Sequence, residues 1–328
     1  MYDNISLFLM LFLSSLAVLF SFFRGSKLVT LSLLLIISVL YLLYSSGRIG
    51  GVDTPFYRQQ FGSDVRCSMF EYGFHQLCRF DSPTGFSFTF LIASFLMIYA
   101  MYRCCENYRV LSLAFLIMFP AYFVIMDMGY LRQSMSVSFI LLFCFNQENR
   151  KVRLLGYIIA PFFHISSIIL IFFFELYYST KKTGIFLLFV GACLISVAAI
   201  MLIKFINGGI VGLFSNGISL KSIVQLMFLM SLNVLASFHL RWPMRVTLFV
   251  MIVTFAGYFG HLYRVYLTLF PIIAFGVAGY LVKRKISYRF LTFAVFIIFG
   301  FLKLSATVFE YDCAFEIPYS KNSLLWFF

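Results

Sequence analysis

Charge is scarce in this sequence. Only 11% of its 328 residues are Asp, Glu, Lys or Arg, against 62% hydrophobic, and the mean hydropathy is +0.97. A soluble domain carries about 25% charged residues. The chain therefore lacks the polar surface to cover a globule in water, and lipid is the solvent that suits it. Other features are missing too. No Cys and His spacing fits a zinc site, and no glycine-rich loop fits a nucleotide. There is no internal repeat, low-complexity tract or stretch polar enough for a separate soluble domain. These gaps point away from metal-dependent and nucleotide-driven chemistry. The net charge of +13 would suit nucleic acid in a soluble protein. Here the cations sit in short clusters between apolar runs, as in cytoplasmic loops, so no nucleic-acid partner is expected.

What is present is a series of apolar runs. Ile5–Phe23 and Leu28–Ser46 contain no charged residue. Each is long enough to cross about 30 Å of hydrocarbon as a helix. The first lacks a basic start and a small-residue cleavage site, and a second run follows at once, so it reads as a permanent span. Further runs cover 86–102, 110–126, 131–145, 154–164, 165–178, 185–206, 223–240, 246–259, 265–282 and 290–308. Together they predict an all-α fold: a polytopic transmembrane helix bundle of about 11–12 spans, with broken helices near the outer face. It would form a single integral membrane domain over 1–328.

Orientation follows from the basic residues. The clusters Arg24/Lys27, Arg103/Arg109, Arg150/Lys151/Arg153, Lys181/Lys182, Arg241/Arg245 and Lys283/Arg284/Lys285/Arg289 hold 15 of the 25 Lys and Arg. Only Glu106 and Glu148 of the acids lie among them. The positive-inside rule places all six in the cytoplasm and both termini outside. Keeping Lys181 and Lys182 inside requires Leu154–Tyr178 to be two short half-spans meeting near His164 rather than one tilted span. Pro161 supports the break, because proline removes a donor and clashes with the preceding turn. The longest outer loop, 47–85, carries four Arg and four acids. Cys67 and Cys78 share it and can form a disulfide if it faces an oxidising compartment.

Four polar clusters map to the outer end. Arg48, Gly50, Gly51, Asp53, Thr54, Tyr57 and Arg58 lie just after a span. They form either a capped helix exit or a polar cradle with Asp53 as acceptor and the arginines as anion donors. Arg132 and Gln133 open an apolar span, followed by Ser134, Ser136 and Ser138. An arginine at a helix start faces an unfavourable dipole, and an anion there would be favoured by both the dipole and the guanidinium. Snorkelling to the interface or pairing with Asp127 are the plainer readings. His164 precedes Ser166 and Ser167, and is either a satisfied core residue or a proton acceptor. His261, Tyr263, Arg264 and Tyr266 begin another span, as an aromatic anchor or a second cationic site. Within the long loop, Glu71, His75 and Arg79 are spaced to share one face of a short helix. Arginines hold diphosphate through forked bonds, so these parts suit a phosphate-bearing lipid entering from the bilayer, with no cofactor or metal.

At these motifs the chain resembles the EpsG/Wzy group of bacterial polysaccharide polymerases. The resembling pieces are Gly51–Tyr57, Arg132–Ser138, His164–Ser166 and Tyr263–Arg264, in order along a multi-span chain. The resemblance implies a periplasmic, metal-independent glycosyltransferase in the bacterial inner membrane. It would transfer a growing O-antigen, capsule or exopolysaccharide chain from undecaprenyl diphosphate to the next lipid-linked repeat unit. Arg132 and Arg264 would hold diphosphates, with Arg48 and Arg58 as further donors. His164 or Asp53 would be the base, and Thr54, Tyr57, Gln133 and Tyr263 would meet sugar or other substrate groups. The expected partners are the undecaprenyl-diphosphate-linked oligosaccharide, membrane lipid, a flippase and a chain-length regulator. Two other readings share some features: a flippase or transporter of lipid-linked oligosaccharide, and an O-antigen ligase. Transporter sites lie near mid-bilayer, often between repeats, whereas the charges here gather at one face. A ligase usually has its larger loop late in the chain, and here it is early.

Overall fold

A computed structural model describes residues 3–47, 54–120, 122–123, 130–178, 220–259, 263–284, 293–298 and 300–301. Every regular element among them is a helix. The chain forms two compact units, Met1–Ile168 with Leu281–Phe328, and Ile169–Tyr280.

In the first unit, α1 (Asp3–Leu19) ends in a π turn closed by Gly25, whose φ of 62° suits glycine. Then come α2 (Lys27–Gly47), α3 (Thr54–Gln60), α4 (Asp64–Cys67), α5 (Tyr72–Phe80), α6 (Phe88–Cys104), α7 (Tyr108–Met118), α8 (Leu131–Cys144) and α9 (Arg150–Ile159). Two stretches, Ser6–Phe23 and Lys27–Gly47, are long and apolar enough to cross a membrane, and α6, α7 and α8 are shorter apolar helices. The run 185–206, and most of 290–308, lies outside the described residues.

α1 packs on α2 and α7, α2 on α6, and α6 and α9 on α8. Small hydroxyls let these helices approach: Ser45 Oγ meets Ser94 Oγ at 2.6 Å, and Ser21 Oγ meets Ser112 Oγ at 3.0 Å. Other serines return their hydrogen to their own helix, as Ser14 does to the Met10 carbonyl at 2.8 Å and Ser138 to Ser134 at 2.8 Å. A hydroxyl satisfied this way can sit on an apolar helix without an unpaired donor. α8 is buried at most of its positions and is the centre of the unit.

The two ends of this unit differ. At one end, Tyr108 donates to the Gly25 carbonyl, Cys104 to Leu141 and Cys144 to Arg153. The basic loops holding Arg103, Arg109, Arg150, Lys151 and Arg153 therefore gather there. At the other end α3, α4 and α5 form a small helical cap. Its core is Tyr57, Phe61, Cys67, Phe70, Phe74 and Cys78, packed on Phe90 and Ala93 of α6 and on Leu131 and Met135 of α8. Each large apolar side chain buried this way contributes about 1.5–3 kcal/mol. A Cys67–Cys78 disulfide ties α4 to α5.

The segment after α9 breaks. A 3₁₀ turn over Ala160–Phe162 contains Pro161, and α10 (Ser167–Tyr178) starts only after a non-helical stretch through Ser166. α9 runs back along α8: a Cβ on Gly156 would lie 2.7 Å from Phe143 Cβ, and Phe163 stacks on Phe139 at 4.8 Å.

The second unit contains most of α10, then α11 (Leu220–Leu240), α12 (Met244–Phe259) and most of α13 (Tyr263–Val282). A buried Asn233–Thr254 hydrogen bond of 2.8 Å joins α11 to α12. Gly276 of α13 packs against Ala236 of α11, where a Cβ would lie 2.7 Å from the Ala236 Cβ.

Candidate functional site

The capped end of the first unit collects the polar side chains. Arg132 stands in the first turn of α8, which starts at Tyr130 without a side-chain cap and has no acid in that turn. An anion must come from elsewhere, and the cap supplies it. Arg132 Nη1 donates to Glu71 Oε2 at 2.5 Å, and Nε donates to the Tyr57 hydroxyl at 3.4 Å. The guanidinium lies 4.8 Å from the centroid of the Phe70 ring, a cation–π distance. Both charged side chains are about a quarter exposed, at 24% and 25%. Neither of these two bonds uses Arg132 Nη2.

Glu71 is the N-cap residue of α5, but its carboxylate makes no cap hydrogen bond. It turns to Arg132 instead. His75 and Arg79, expected beside it on one helix face, pair with Asp64 at 3.1 and 3.7 Å. The shared face therefore holds for His75 and Arg79, while Glu71 serves α8. Asp127, the partner weighed for Arg132 from sequence, lies outside the described residues.

His164 lies in the helix break, one turn along α8 from Arg132. Ser136 Oγ donates to the His164 carbonyl at 3.2 Å, and Ser167 Oγ donates to the same oxygen at 2.9 Å. The Ser166 amide donates to His164 Nδ1 at 3.1 Å, with Ser166 Oγ 2.8 Å from that nitrogen. The His-x-Ser-Ser run thus caps its own break, replacing the bonds that Pro161 disrupts. An amide can only donate, so Nδ1 accepts, and the neutral ring carries its hydrogen on Nε2. In this arrangement the imidazole offers a donor. The cap meets the break closely, because a Cβ on Gly73 would lie 3.0 Å from both the Phe162 carbonyl and the Phe163 ring. Tyr72 also meets Phe162 edge to face at 6.3 Å.

The remaining sequence-predicted residues are placed as follows. Tyr57 is 3% exposed, with its hydroxyl on Arg132 and its ring against Phe70 and Phe74. Arg58 is 5% exposed, donates to the Ser46 carbonyl at 3.3 Å and lies over Phe90. A cation at the last carbonyls of α2 is favoured by the helix dipole, so Arg58 ties the cap to α2. Gln133 is buried in α8. Arg48, Gly50, Gly51, Asp53 and His261 lie outside the described residues. So do the side chains of Thr54, Tyr263 and Arg264, although Thr54 opens α3 and Tyr263 and Arg264 open α13. Arg132, Tyr57 and His164 are therefore gathered in one unit, while Arg264 belongs to the other.

Sequence reasoning missed Asp81. It is 5% exposed and accepts from the Ser82 amide, the Ser87 hydroxyl, and the Phe88 and Thr89 amides. This carboxylate caps α6. The signal was present in Ser87 and Asp81 ahead of an apolar run. Among the free thiols, burial pushes Cys105 up from its ordinary range, with a further push from Glu106.

The features above define a class: an all-helical protein of apolar helices whose capped end presents arginine, carboxylate and histidine. The model of the EpsG family matches residues 31–320, and the chain belongs to that family of Wzy-like polymerases. Membership points to polysaccharide biosynthesis by a glycosyltransferase-like polymerase. No curated protein and no solved structure matches the chain.

Proposed function

We propose that the protein is a polytopic inner-membrane polymerase that joins polysaccharide repeat units carried on undecaprenyl diphosphate, at the periplasmic face. The observation that carries this reading is Arg132. It is a partly exposed guanidinium at the start of a buried apolar helix, held by Tyr57 and by a carboxylate from a disulfide-tied cap. A fork of this kind suits a diphosphate. Gathering of the basic loops at the opposite end suits a cytoplasmic face there. The disulfide suits an oxidising compartment at the capped end.

In this reading Arg132 and Arg264 hold the diphosphates, and the lipid tails remain in the bilayer. A hydroxyl of the acceptor repeat unit attacks the anomeric carbon of the donor glycan. A glycosidic bond forms as the carbon–oxygen bond to the diphosphate breaks. Undecaprenyl diphosphate leaves with the bonding pair, its charge held by the arginines. The hydroxyl proton passes to a base. The Ser166 amide on His164 Nδ1 favours Asp53 for that role, with His164 as hydrogen-bond donor.

Complementation tests it. A strain lacking the gene should accumulate glycan of one repeat unit, and the wild-type gene should restore a ladder on a polysaccharide gel. Arg132→Ala and Arg264→Ala should reach the membrane and leave single units. Long lipid-linked polymer in the deletion strain would mark a ligase instead. Unchanged glycan would remove the polymerase reading.

A further inference from the structure

The segment 47–85 carries four acids, and the three among the described residues are used differently. Asp64 pairs with His75 and Arg79 within the cap. Asp81 closes the first turn of α6. Glu71, alone of the three, reaches out of the cap to a residue of the proposed site. Its carboxylate makes no other hydrogen bond or ion pair among the described residues, not even to the helix that it begins.

We propose that Glu71 is a tethered anion: it holds Arg132 when no substrate is bound and yields it to the diphosphate of the lipid-linked substrate. The identity of that diphosphate rests on the function proposed above. The displacement itself rests on geometry. Glu71 takes one edge of the guanidinium at 2.5 Å. A diphosphate approaching Arg132 brings like charge to that carboxylate and competes for the same donors. The cap core stays seated on Phe90 and Ala93 of α6 and on Leu131 and Met135 of α8, so displacement of Glu71 frees only the N-terminal turn of α5. The disulfide and the Tyr57, Phe70 and Phe74 cluster hold α3, α4 and α5 together. The N-terminal turn of α5 meets the helix break through a close glycine approach at Gly73 and the ring pair of Tyr72 and Phe162, while Phe163 packs against the cap core. Substrate entry would free Glu71 and loosen α5 at its N-terminal turn. The pair would thus act as a latch that keeps Arg132 from holding other anions between substrate encounters.

The test is hydrogen exchange of cap peptides spanning 68–76, in full-length protein in lipid nanodiscs, with inorganic diphosphate as the probe. Wild type should exchange faster in this segment when diphosphate is bound. Glu71→Gln should show the faster exchange without diphosphate. It should also bind diphosphate on the order of fivefold more tightly, the upper end for a partly exposed ion pair. Glu71→Asp keeps the charge with a shorter reach and should fall between the two; it also serves if the Gln variant does not accumulate. Bound diphosphate without a change in cap exchange would overturn the proposal. So would equal diphosphate affinity in wild type and Glu71→Gln, or in wild type and Arg132→Gln. If exchange and affinity respond as expected while loss of the gene leaves the glycan ladder unchanged, the latch stands and the polymerase reading falls.

Discussion

At Arg132 the guanidinium divides its donors between a phenol and a carboxylate and keeps Nη2 out of both bonds. That division makes lysine a poor replacement. Lysine can pair with Glu71, but it cannot form a planar fork. Arg132→Lys should therefore accumulate normally and lose ladder formation almost as fully as Arg132→Ala, read on the same gel. His164 and Asp53 should separate in a similar experiment. Asp53→Asn should abolish polymer, because an amide takes no proton. His164→Gln, which keeps a donor and an acceptor, should leave measurable activity. Activity kept in Asp53→Asn and lost in His164→Gln would return the base role to His164. Arg132 and His164 are visible in the sequence because charge and imidazole are out of place beside apolar runs. The Glu71 partner is not, since the two residues are 61 positions apart and helical spacing groups Glu71 with His75. The same spacing argument succeeds for His75 and Arg79, which share Asp64.

Among the elements, α6 and α9 carry the clearest structural predictions. Asp81 is buried and accepts from four donors at the start of α6. Asp81→Ala leaves those donors unpaired and should cost about 2 kcal/mol, seen as a lower melting temperature in detergent. Gly156→Ala should also lower it, through a cost of about 1–3 kcal/mol in stability, because the added Cβ would meet Phe143 Cβ at 2.7 Å. The break after α9 is legible from Pro161 and from the basic pair at Lys181 and Lys182. The way it is satisfied is not. Only the structure shows Ser136 of α8 and Ser167 converging on the His164 carbonyl. The sequence suggests one short helix in this loop, through Glu71, His75 and Arg79, but not the three-helix cap, because α3, α4 and α5 are short. Their apolar residues bury against α6 and α8 rather than within any one helix, and that tertiary burial has no local period to read.

For the whole molecule, segregation of charge along the first unit is the main consequence of the sequence. Basic loops gather at one end of that unit and the cap occupies the other. Thr84→Cys, exposed at the capped end, should react with a membrane-impermeant maleimide in intact spheroplasts, and Lys151→Cys should react only after permeabilisation. The reverse pattern would invert the orientation. Replacing Cys67 and Cys78 together by Ser should loosen the cap. Closing a loop of this length contributes about 3 kcal/mol, so the change should appear as faster exchange over 54–80. The all-helical class is clear from composition alone, because apolar runs in lipid satisfy their backbone as helices or closed barrels. The division into two units is not, since the apolar runs continue across Ile168 without a change of character.

The most direct measurement is polymer formation by the purified protein. Reconstituted in liposomes with undecaprenyl-diphosphate-linked repeat units and no other enzyme, nucleotide or metal, the wild type should release undecaprenyl diphosphate as chains of increasing length appear, and Arg132→Ala should do neither. Wild-type protein that binds the lipid-linked units but leaves them single, or an Arg132→Ala variant that makes the same chains, would contradict the account.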